Sequence, residues 1–268
     1  MRRPVTYAVL FLLLLLPFAG LAAEPFSFAI VGDTHIRQTE AVYATILKLI
    51  DKEKVQAIVH TGDAITEPGS ESEWERFLQL TGNSRPLYIA PGNHDIKGRK
   101  SLTTYSRILG KPPYYSAVHD DTLLILLNSE IPGQEGRITG QQLEWLKAEL
   151  KRPFTYHIVF LHRPLFTTLL GTGYGLDRFK AERDRLHELF KEYNVPLVVA
   201  GHEHHYNRSE HDGIIYVIAG GGGARLLTFF EEYGGFFHYV IAKKRNGGYV
   251  LRVHDLKGNI RDEFSIKR

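Results

Sequence analysis

The chain contains no cysteine among its 268 residues, and this absence excludes several kinds of chemistry at once. Disulfide bonds, thiolate metal ligands, thiol nucleophiles and a lipid-modified cysteine are all ruled out. Any metal ion must therefore be held by histidine, aspartate, glutamate or asparagine. The 13 histidines are then the main source of nitrogen ligands, since imidazole is a common metal ligand.

An excess of charge of one sign is also lacking. The 33 basic and 30 acidic residues leave a net charge of +3, and no run of like charges concentrates it. This balance gives no nucleic-acid-binding signal and no signal for an anionic membrane surface. The length suits one large α/β domain or two small ones. Because no linker or repeat interrupts the chain, we predict a single domain over residues 24–268.

Long hydrophobic runs are absent except near the N-terminus. The apolar stretch from Val5 to Leu16 follows the basic Met1-Arg2-Arg3 and precedes the small residues Ala19 to Ala23. This order predicts a signal peptide over residues 1–23 and a periplasmic or secreted mature protein. An uncleaved N-terminal anchor is the alternative, but the stretch is short of the ~20 residues of a spanning helix. We therefore expect no membrane span in the mature chain.

The remaining sequence alternates short apolar runs with amphipathic stretches. Helical spacing is found at Thr39 to Lys52, Thr139 to Leu150 and Phe179 to Tyr193, and a Ser-x-x-Glu capping box begins at Ser70. Predicted strands cover residues 26–31, 57–60, 87–90, 114–118, 122–127, 156–161 and 195–200, with four hairpin-like strands between residues 214 and 266. This order predicts an α/β fold with one mixed sheet or two packed sheets.

Five of the predicted strands run into side chains that bind metals. The residues are Asp33 and His35, Asp63, Asn93 to Asp95, His162, and His202 with His204. Loops at the carboxyl ends of parallel strands converge on one crevice in α/β sheets. If these strands share a sheet, the five groups meet there.

The combined ligand set indicates which ions the crevice would hold. Two carboxylates, one amide oxygen and four imidazoles suit manganese, iron or zinc better than copper(I) or an iron–sulfur cluster. The set is too large for one ion with open coordination positions. It suits two ions that share a carboxylate, and two ions about 3.5–4 Å apart form a clamp for displacement at phosphorus.

These motifs resemble those of the calcineurin-like metallophosphoesterases. The matching fragments are Asp33-x-His35, Gly62-Asp63, Gly92-Asn93-His94-Asp95, His162 and Gly201-His202-x-His204. The resemblance implies two packed mixed β-sheets flanked by helices, an αββα sandwich. It also implies a binuclear metal-dependent phosphoric ester hydrolase that acts on small-molecule phosphate mono- or diesters.

The resemblance further implies roles for individual residues. One divalent or trivalent ion would be held by Asp33, His35, Asp63 and His204, and a second by Asp63, Asn93, His162 and His202. A hydroxide that bridges the ions would attack phosphorus. The catalytic residues would be His94, which assists the leaving group, and Asp95, which orients His94.

Three segments resemble the purple acid phosphatase branch of this family. They are His162-Arg163-Pro164-Leu165-Phe166, the segment from Gly201 to Arg208, and Gly220 to Gly223. Purple enzymes carry a metal-binding tyrosine three residues after the second aspartate, where this chain has Thr66. We therefore expect no iron–tyrosinate colour. Cyclic-nucleotide phosphodiesterases lack this tyrosine as well, but they are usually cytoplasmic.

Several alternatives stay open from the sequence. A non-catalytic metal-binding or interaction module on the same fold is the rival to an enzyme, and the complete ligand set favours the enzyme. The sequence leaves open the metal, the substrate, the oligomeric state and whether Gly171 to Gly175 or Gly220 to Gly223 contacts substrate. It also does not decide which nearby arginine contacts phosphate; the candidates are Arg37, Arg99, Arg163 and Arg208.

Overall fold

A computed structural model describes residues 24–245 and 247–267, so the predicted signal peptide lies outside the described residues. The elements are β1 (Ser27–Val31), α1 (Ile36–Glu53), β2 (Ala57–His60), α2 (Glu71–Thr81), β3 (Leu87–Ile89), α3 (Arg99–Leu109), β4 (Tyr115–His119), β5 (Thr122–Leu126), α4 (Gly140–Leu150), β6 (Tyr156–Phe160), α5 (Lys180–Glu192), β7 (Leu197–Ala200), β8 (Tyr206–His211), β9 (Ile214–Ala219), β10 (His238–Arg245), β11 (Gly248–Asp255) and β12 (Ile260–Lys267). Short 3-10 helices cover Leu169–Gly171, Leu176–Phe179 and Glu231–Tyr233.

The strands form two mixed sheets of six strands each. The first has the order β12-β11-β10-β1-β2-β3, in which β1, β2 and β3 are parallel and the other pairs are antiparallel. The second has the order β4-β5-β6-β7-β9-β8, in which the four central strands are parallel and β4 and β8 are antiparallel edge strands.

Three apolar clusters hold the layers together. The central cluster joins the two sheets and includes Phe28 of β1 and Phe160 of β6. A second cluster packs α1, α2 and α3 on the first sheet and contains Trp74. A third packs α4 and α5 on the second sheet and contains Leu146 and Phe190. The predicted fold class, two packed mixed sheets flanked by helices, is confirmed.

Burial on both faces explains why the central strands read as unbroken apolar runs. In β1, Phe28 and Ile30 belong to the cluster between the sheets, whereas Ala29 and Val31 belong to the cluster beneath the helices. Strands covered on both faces lack the alternation of apolar and polar residues that marks a half-exposed strand. The same parallel strands carry the predicted ligands in the loops at their carboxyl ends.

Two elements were missed by the sequence analysis. The helix α3 begins at Arg99, and the preceding residue Gly98 makes no side-chain capping bond, so no capping signal marks this helix in the sequence. Strand β8 is rich in polar residues because it forms the sheet edge, and it shows no apolar run. Across residues 24–245 and 247–267, none of the helices is both long enough and apolar enough to cross a membrane.

Candidate metal centre

Backbone hydrogen bonds bring the loops after β1 and β2 together. The Asp33 amide donates to the Gly62 carbonyl at 2.9 Å, and the His35 amide donates to the Asp63 carbonyl at 3.1 Å. A side chain at Gly62, whose φ is 97°, would lie 2.7 Å from Nδ1 of His162. Glycine at this position therefore permits both the turn and the close approach of the histidine.

Four of the predicted ligands have left-handed backbone conformations. The φ angles are 57° for Asp33, 41° for His35, 53° for Asp63 and 70° for His202. Non-glycine residues in this region are uncommon and cost free energy, and such residues cluster at functional sites. Their concentration in three loops of one crevice is consistent with a functional geometry that the surrounding fold maintains.

The crevice contains two overlapping groups of possible metal ligands. One ligand atom each from Asp33, His35, Asp63 and His204 lies within 4.8 Å of the others, and the same holds for Asp63, His162 and His202. Asp63 belongs to both groups. Oδ1 of Asn93 lies 3.1 Å from Nε2 of His162, which adds the amide oxygen to the second group. All seven sequence-predicted ligands are therefore close together.

The side chains present fit metal ions. Both ring nitrogens of His35 are buried without a hydrogen-bond partner. Leaving such a polar atom unsatisfied costs about 1–3 kcal/mol, and a coordinated ion would satisfy it. Nε2 of His35 lies 3.4 Å from the Asp63 carboxylate, and Nε2 of His162 lies 3.3 Å from it. The carboxylate thus has an imidazole of each group beside it, as a shared ligand requires.

Backbone carbonyls orient two of the histidines. Nδ1 of His162 lies 2.9 Å from the Thr61 carbonyl, and Nδ1 of His204 lies 2.8 Å from the Arg225 carbonyl. Because Nδ1–H donates to the backbone, the lone pair of Nε2 is directed to the crevice. Nε2 of His204 accordingly lies 3.5 Å from the Asp33 carboxylate.

The ionisable groups of the crevice have strongly shifted pKa values. Burial lowers the pKa of His162, but the carboxylates of Asp63 and Asp33 outweigh burial and raise it to about 10. Burial, with help from His162, lowers the pKa of His202 to about 2, and burial lowers the pKa of His204 to about 4. The neighbouring carboxylates thus favour a proton on His162, whereas burial raises the pKa of the Asp33 carboxyl well above its usual value. A bound cation would displace this proton, since metal ligands must be deprotonated.

The predicted contact between Asp95 and His94 is wrong. Asp95 is fully buried, and its carboxylate accepts backbone N–H bonds from Gly92 and Ala64, both at 2.9 Å, and from Ile65 at 3.3 Å. Nδ1 of His94 instead lies 2.7 Å from the Thr66 carbonyl. Because three peptide amides occupy Asp95, its role is to fix the turn that carries the neighbouring ligands.

His60, the last residue of β2, is a positioning residue. Its side chain is fully buried; Nδ1 accepts the Gly62 amide at 3.1 Å, and Nε2 lies 3.2 Å from the Thr34 hydroxyl. Burial lowers its pKa to about 3, so the ring is neutral. The neutral ring links the loops that carry Asp33 and Asp63. A histidine within an apolar strand was the available signal.

Among the four candidate arginines, Arg163 lies at the crevice. Nη1 of Arg163 is 3.3 Å from Nε2 of His202, and its guanidinium forms a two-point contact with Glu130 at 2.7 and 3.1 Å. The side chain of Glu130 is 1% exposed, and no sequence motif indicates its role. Two of the other candidates have different acidic partners: Arg37 faces Glu67 and Glu73, and Arg208 pairs with Asp262.

Both glycine-rich segments contact the ligand loops. The Gly222 amide donates to the Gly32 carbonyl at 2.8 Å, and the Gly220 amide donates to the His205 carbonyl at 3.3 Å. These amides support the loop of Asp33 from within the protein. In the other segment, a side chain at Gly171 would lie 2.2 Å from the carboxylate carbon of Glu203, the residue between His202 and His204.

Comparison with known proteins identifies the family. The model of the calcineurin-like phosphoesterase family matches residues 26–206, a range that contains the whole ligand set. The chain belongs to the calcineurin-like phosphoesterases. This assignment confirms the resemblance that the sequence motifs carried.

Relatives of this calcineurin-like phosphoesterase include phosphatases and a phosphodiesterase. It is 27% identical over 203 residues to purple acid phosphatase 5 of Arabidopsis thaliana, covering 69% of this chain and 45% of that protein. It is 27% identical over 206 residues to a glycerophosphodiester phosphodiesterase of Enterobacter lignolyticus, covering 68% and 72% of the two chains. The calcineurin-like phosphoesterase thus spans less than half the length of the plant relative.

A solved structure supports the fold of this phosphoesterase. A purple acid phosphatase from yellow lupin (Lupinus luteus) seeds superposes with a TM-score of 0.75 at 20% identity. The match covers 91% of this chain and 54% of that chain. At this identity the likeness establishes the shared fold.

Proposed function

We propose that this phosphoesterase hydrolyses phosphate mono- or diesters of small molecules in a metal-dependent reaction. The observation that carries the proposal is the position of Asp63 in both ligand groups, with His94 beside them. The His94 amide donates to Oδ1 of Asp63 at 2.7 Å, so the shared carboxylate and the candidate proton donor are held together. Relatives of both phosphatase and phosphodiesterase type support either ester class.

The proposed centre has two ion sites with a common carboxylate. The first consists of Asp33, His35, Asp63 and His204, and the second of Asp63, Asn93, His162 and His202. Mixed nitrogen and oxygen ligands suit manganese, iron or zinc. When bound, the ions supply Lewis acidity toward phosphoryl oxygens and increase the acidity of bound water.

His94 supplies the proton that the departing alcohol needs. Its Nδ1–H donates to the Thr66 carbonyl, and its ring centroid lies 4.4 Å from that of His35. The partly exposed imidazole is thus fixed beside the crevice with Nε2 unrestrained by that bond. When the bond between phosphorus and the alcohol oxygen breaks, the protonated ring transfers its Nε2 proton to that oxygen. Water contributes an OH group to phosphorus, its other proton passes to solvent, and His94 regains a proton from solvent, so atoms and charge balance.

Arg163 and Glu130 form one wall of the proposed site. Glu130 holds the guanidinium at two points, and the remaining nitrogen Nη1 reaches His202. An arginine fixed in this way is restricted in its rotamers. We assign it a positioning role toward the His202 side of the site.

We also propose that residues 1–23 are a secretory signal and that the protein is periplasmic or secreted. The basic start, apolar run and small-residue end of this segment support the proposal. N-terminal sequencing of exported protein is expected to find a start near Ala23 or Glu24. Retention of Met1 in that material would contradict cleavage and favour an N-terminal anchor.

The experiment that tests the proposed activity is a substrate and metal panel. Purified protein is assayed with aryl phosphate mono- and diesters, cyclic nucleotides and phospholipid head-group esters, each with manganese, zinc and iron. We expect metal-stimulated hydrolysis of at least one ester class. No stimulated hydrolysis across the panel would favour the rival interpretation, a non-catalytic module on the same fold.

A further inference from the structure

Exposed apolar side chains are concentrated on two loops. We define the first apolar loop as residues 167–175 and the second as residues 225–236. Within the described part of the chain, large exposed hydrophobic residues on these loops are Leu169, Leu170, Tyr174, Leu227, Phe229, Phe230 and Tyr233, and those elsewhere are Val118 and Ile260. Leu169 is 95% exposed and Phe229 is 74% exposed. Exposed apolar side chains that gather in one region of a surface often mark a binding site.

The first apolar loop is attached to the ligand-bearing segment at both ends. The Thr168 amide donates to both carboxylate oxygens of Glu203 at 3.2 Å, and its hydroxyl donates to the same carboxylate. At the other end, Nη1 of Arg163 donates to the Tyr174 carbonyl at 2.7 Å. Glu203 follows His202 in the sequence, and Nη1 of Arg163 lies 3.3 Å from Nε2 of His202. The loop is therefore fixed relative to the candidate metal centre.

The second apolar loop is attached to His204. Nδ1 of His204 donates to the Arg225 carbonyl at 2.8 Å, and the Leu227 amide donates to the His204 carbonyl at 2.9 Å. Since His204 is a predicted ligand, this loop begins at the metal centre. Both apolar loops are thus hydrogen-bonded to the segment from His202 to His204, and both carry exposed apolar side chains.

A groove of about 1210 Å³ lies between the loops. Leu169 and Leu170 line one wall, Tyr233 lines the other, and His205 and the edge strand β8 form the floor. His205 follows the ligand His204 directly, so their Cα atoms are ~3.8 Å apart. His205 thus joins the floor of the groove to the ligand-bearing segment, and the groove is large enough for a drug-sized group.

The three arginines that line the groove are already paired with carboxylates. Arg208 donates to Asp262 at 2.7 Å, Arg183 donates to Asp184 at 2.6 Å, and Arg261 donates to Glu231 at 2.9 Å. An anionic occupant would have to compete with these carboxylates. An uncharged apolar occupant can cover the exposed side chains without separating any pair. The electrostatics thus favour a neutral group over a second phosphate.

We propose that this groove binds the alcohol part of the ester substrate, and that this part is a large uncharged alkyl or aryl group. The inference rests on the proposed phosphoesterase function, because the phosphoryl group would occupy the adjacent centre. Transfer of apolar surface out of water gives about a threefold to fourfold gain in binding for each methylene that is fully buried. Substrates with a short polar alcohol leave the groove hydrated and forgo this gain.

The first test is a chain-length series with constant chemistry at phosphorus. Ethyl, butyl and octyl phosphates are compared below their aggregation concentrations, each as the monoester and as the methyl diester. These alcohols have similar leaving-group acidity, so kcat/KM reports binding of the chain. We expect kcat/KM to rise about 100-fold or more from ethyl to octyl. A flat series would overturn the proposal.

Variants test whether the dependence of kcat/KM on chain length arises from binding in the groove. In the double variant Leu170→Ser/Tyr233→Ser, the ratio of kcat/KM between the octyl and ethyl esters should fall to within a few-fold of unity. The matched control is Val118→Ser, which removes a side chain that is 48% exposed on β4, at the opposite edge of the same sheet. The control should retain the wild-type ratio. An unchanged ratio in the double variant would contradict binding in the groove.

Binding of non-hydrolysable ligands separates failure of this inference from failure of the proposed function. Octylphosphonate should bind the metal-loaded wild type about 100-fold more tightly than ethylphosphonate by calorimetry, and the double variant should lose this difference. If no ester is hydrolysed but octylphosphonate still binds more tightly than ethylphosphonate, the proposed activity is contradicted and binding in the groove is supported. Hydrolysis with equal binding of the two phosphonates would overturn the groove alone.

Two other occupants are tested with the same variants. Wild type and double variant are sedimented with neutral phosphatidylcholine vesicles and, separately, analysed alone for dimer formation. We expect neither property to differ between them. Vesicle binding or dimerisation that the double variant abolishes, together with an unchanged octyl to ethyl ratio, would assign the loops to a membrane or to a second copy and overturn the proposal.

Discussion

Nδ1 of His94 lies 2.7 Å from the carbonyl oxygen of Thr66, and this bond fixes the imidazole of the candidate proton donor. A backbone acceptor holds the ring orientation without adding a second carboxylate charge beside Asp63. The position occupied by Thr66 thus contributes through its main chain, whereas the corresponding position in purple enzymes contributes a tyrosine side chain. The proposed roles of His94 and Thr66 give the first two predictions.

Replacement of His94 by alanine is expected to slow hydrolysis of alkyl esters by about 10²–10⁴-fold, the usual contribution of a positioned general acid. The rate of hydrolysis of nitrophenyl esters should fall much less, because nitrophenolate departs without a proton. Metal content, measured by elemental analysis, should stay at the wild-type level. Equal losses for both ester classes would contradict proton donation by His94.

The control for this variant is His119→Ala. His119 lies at the end of β4, stacks on Phe26 and contacts the Tyr88 hydroxyl, away from the candidate centre. Its replacement should leave both the rate and the ratio between ester classes unchanged. A similar loss in this variant would indicate a general effect of removing a partly buried imidazole.

The presence of threonine at position 66 leads to a prediction for the visible absorption spectrum of iron-loaded protein. Because threonine stands where purple enzymes have the metal-binding tyrosine, protein loaded with ferric iron should show no tyrosinate absorption band in the visible range. The absorption spectrum of the reconstituted protein measures this directly. A band that disappears on removal of iron would show that another tyrosine reaches the metal.

Asp63 should be the residue whose loss affects both ion sites. Wild type is expected to bind about two ions per chain, and metal at ~100 times its Kd should stabilise the fold by about 2.7 kcal/mol for each independent site. His204→Ala should retain about one ion, whereas Asp63→Ala should retain neither with comparable affinity. Calorimetric titration and thermal unfolding measure both quantities. Equal metal binding by the two variants would contradict a shared carboxylate.

The pair formed by Glu130 and Arg163 predicts a stability effect that depends on pH. Arg163→Met leaves the Glu130 carboxylate buried without its guanidinium, which should cost up to about 3 kcal/mol at neutral pH. Burial raises the pKa of Glu130 and Arg163 opposes this, so the variant raises that pKa further. When the pKa of a carboxyl group is higher in the folded state than in the unfolded state, the protonated group stabilises the fold at pH values below the unfolded-state pKa. This stabilisation is lost as the pH rises through the folded-state pKa.

The loss in free energy of unfolding caused by Arg163→Met should therefore be smaller at mildly acidic pH than at neutral pH. Urea unfolding at both pH values measures this difference. Adding Glu130→Gln should restore much of the stability at neutral pH, since it removes the buried charge. Arg76→Met, which disrupts an exposed pair with Glu40, is the control and should change stability little at either pH. A cost independent of pH would indicate lost packing alone.

The sequence analysis could select the side chains that the fold brings together in the crevice because their positions follow a local pattern. Asp33, Asp63 and His162 each follow an apolar run, and parallel strands bring such positions together. The resemblance then supplied the pairing of these residues into two groups, and the geometry is consistent with that pairing. The layered fold was predictable for the same reason, since strands covered on both faces read as continuous apolar runs.

The unpredicted features depend on backbone groups or on contacts distant in sequence. The carbonyls of Thr66, Thr61 and Arg225 orient three histidines, and every residue type offers a carbonyl, so no sequence signal marks them. Glu130 acquires its partner only when folding brings it to Arg163. The resemblance implied that Asp95 orients His94, whereas the turn directs the Asp95 carboxylate to three backbone amides.

Metal-dependent hydrolysis by protein that has first been stripped with a chelator tests the central claim most directly. Titration of manganese or zinc into stripped wild type, with an aryl phosphate mono- or diester as substrate, should restore activity that saturates near two ions per chain. Stripped Asp63→Ala should recover little activity over the same range. Hydrolysis that is indifferent to the chelator, or equal in wild type and Asp63→Ala, would contradict a phosphoesterase centre built on Asp63.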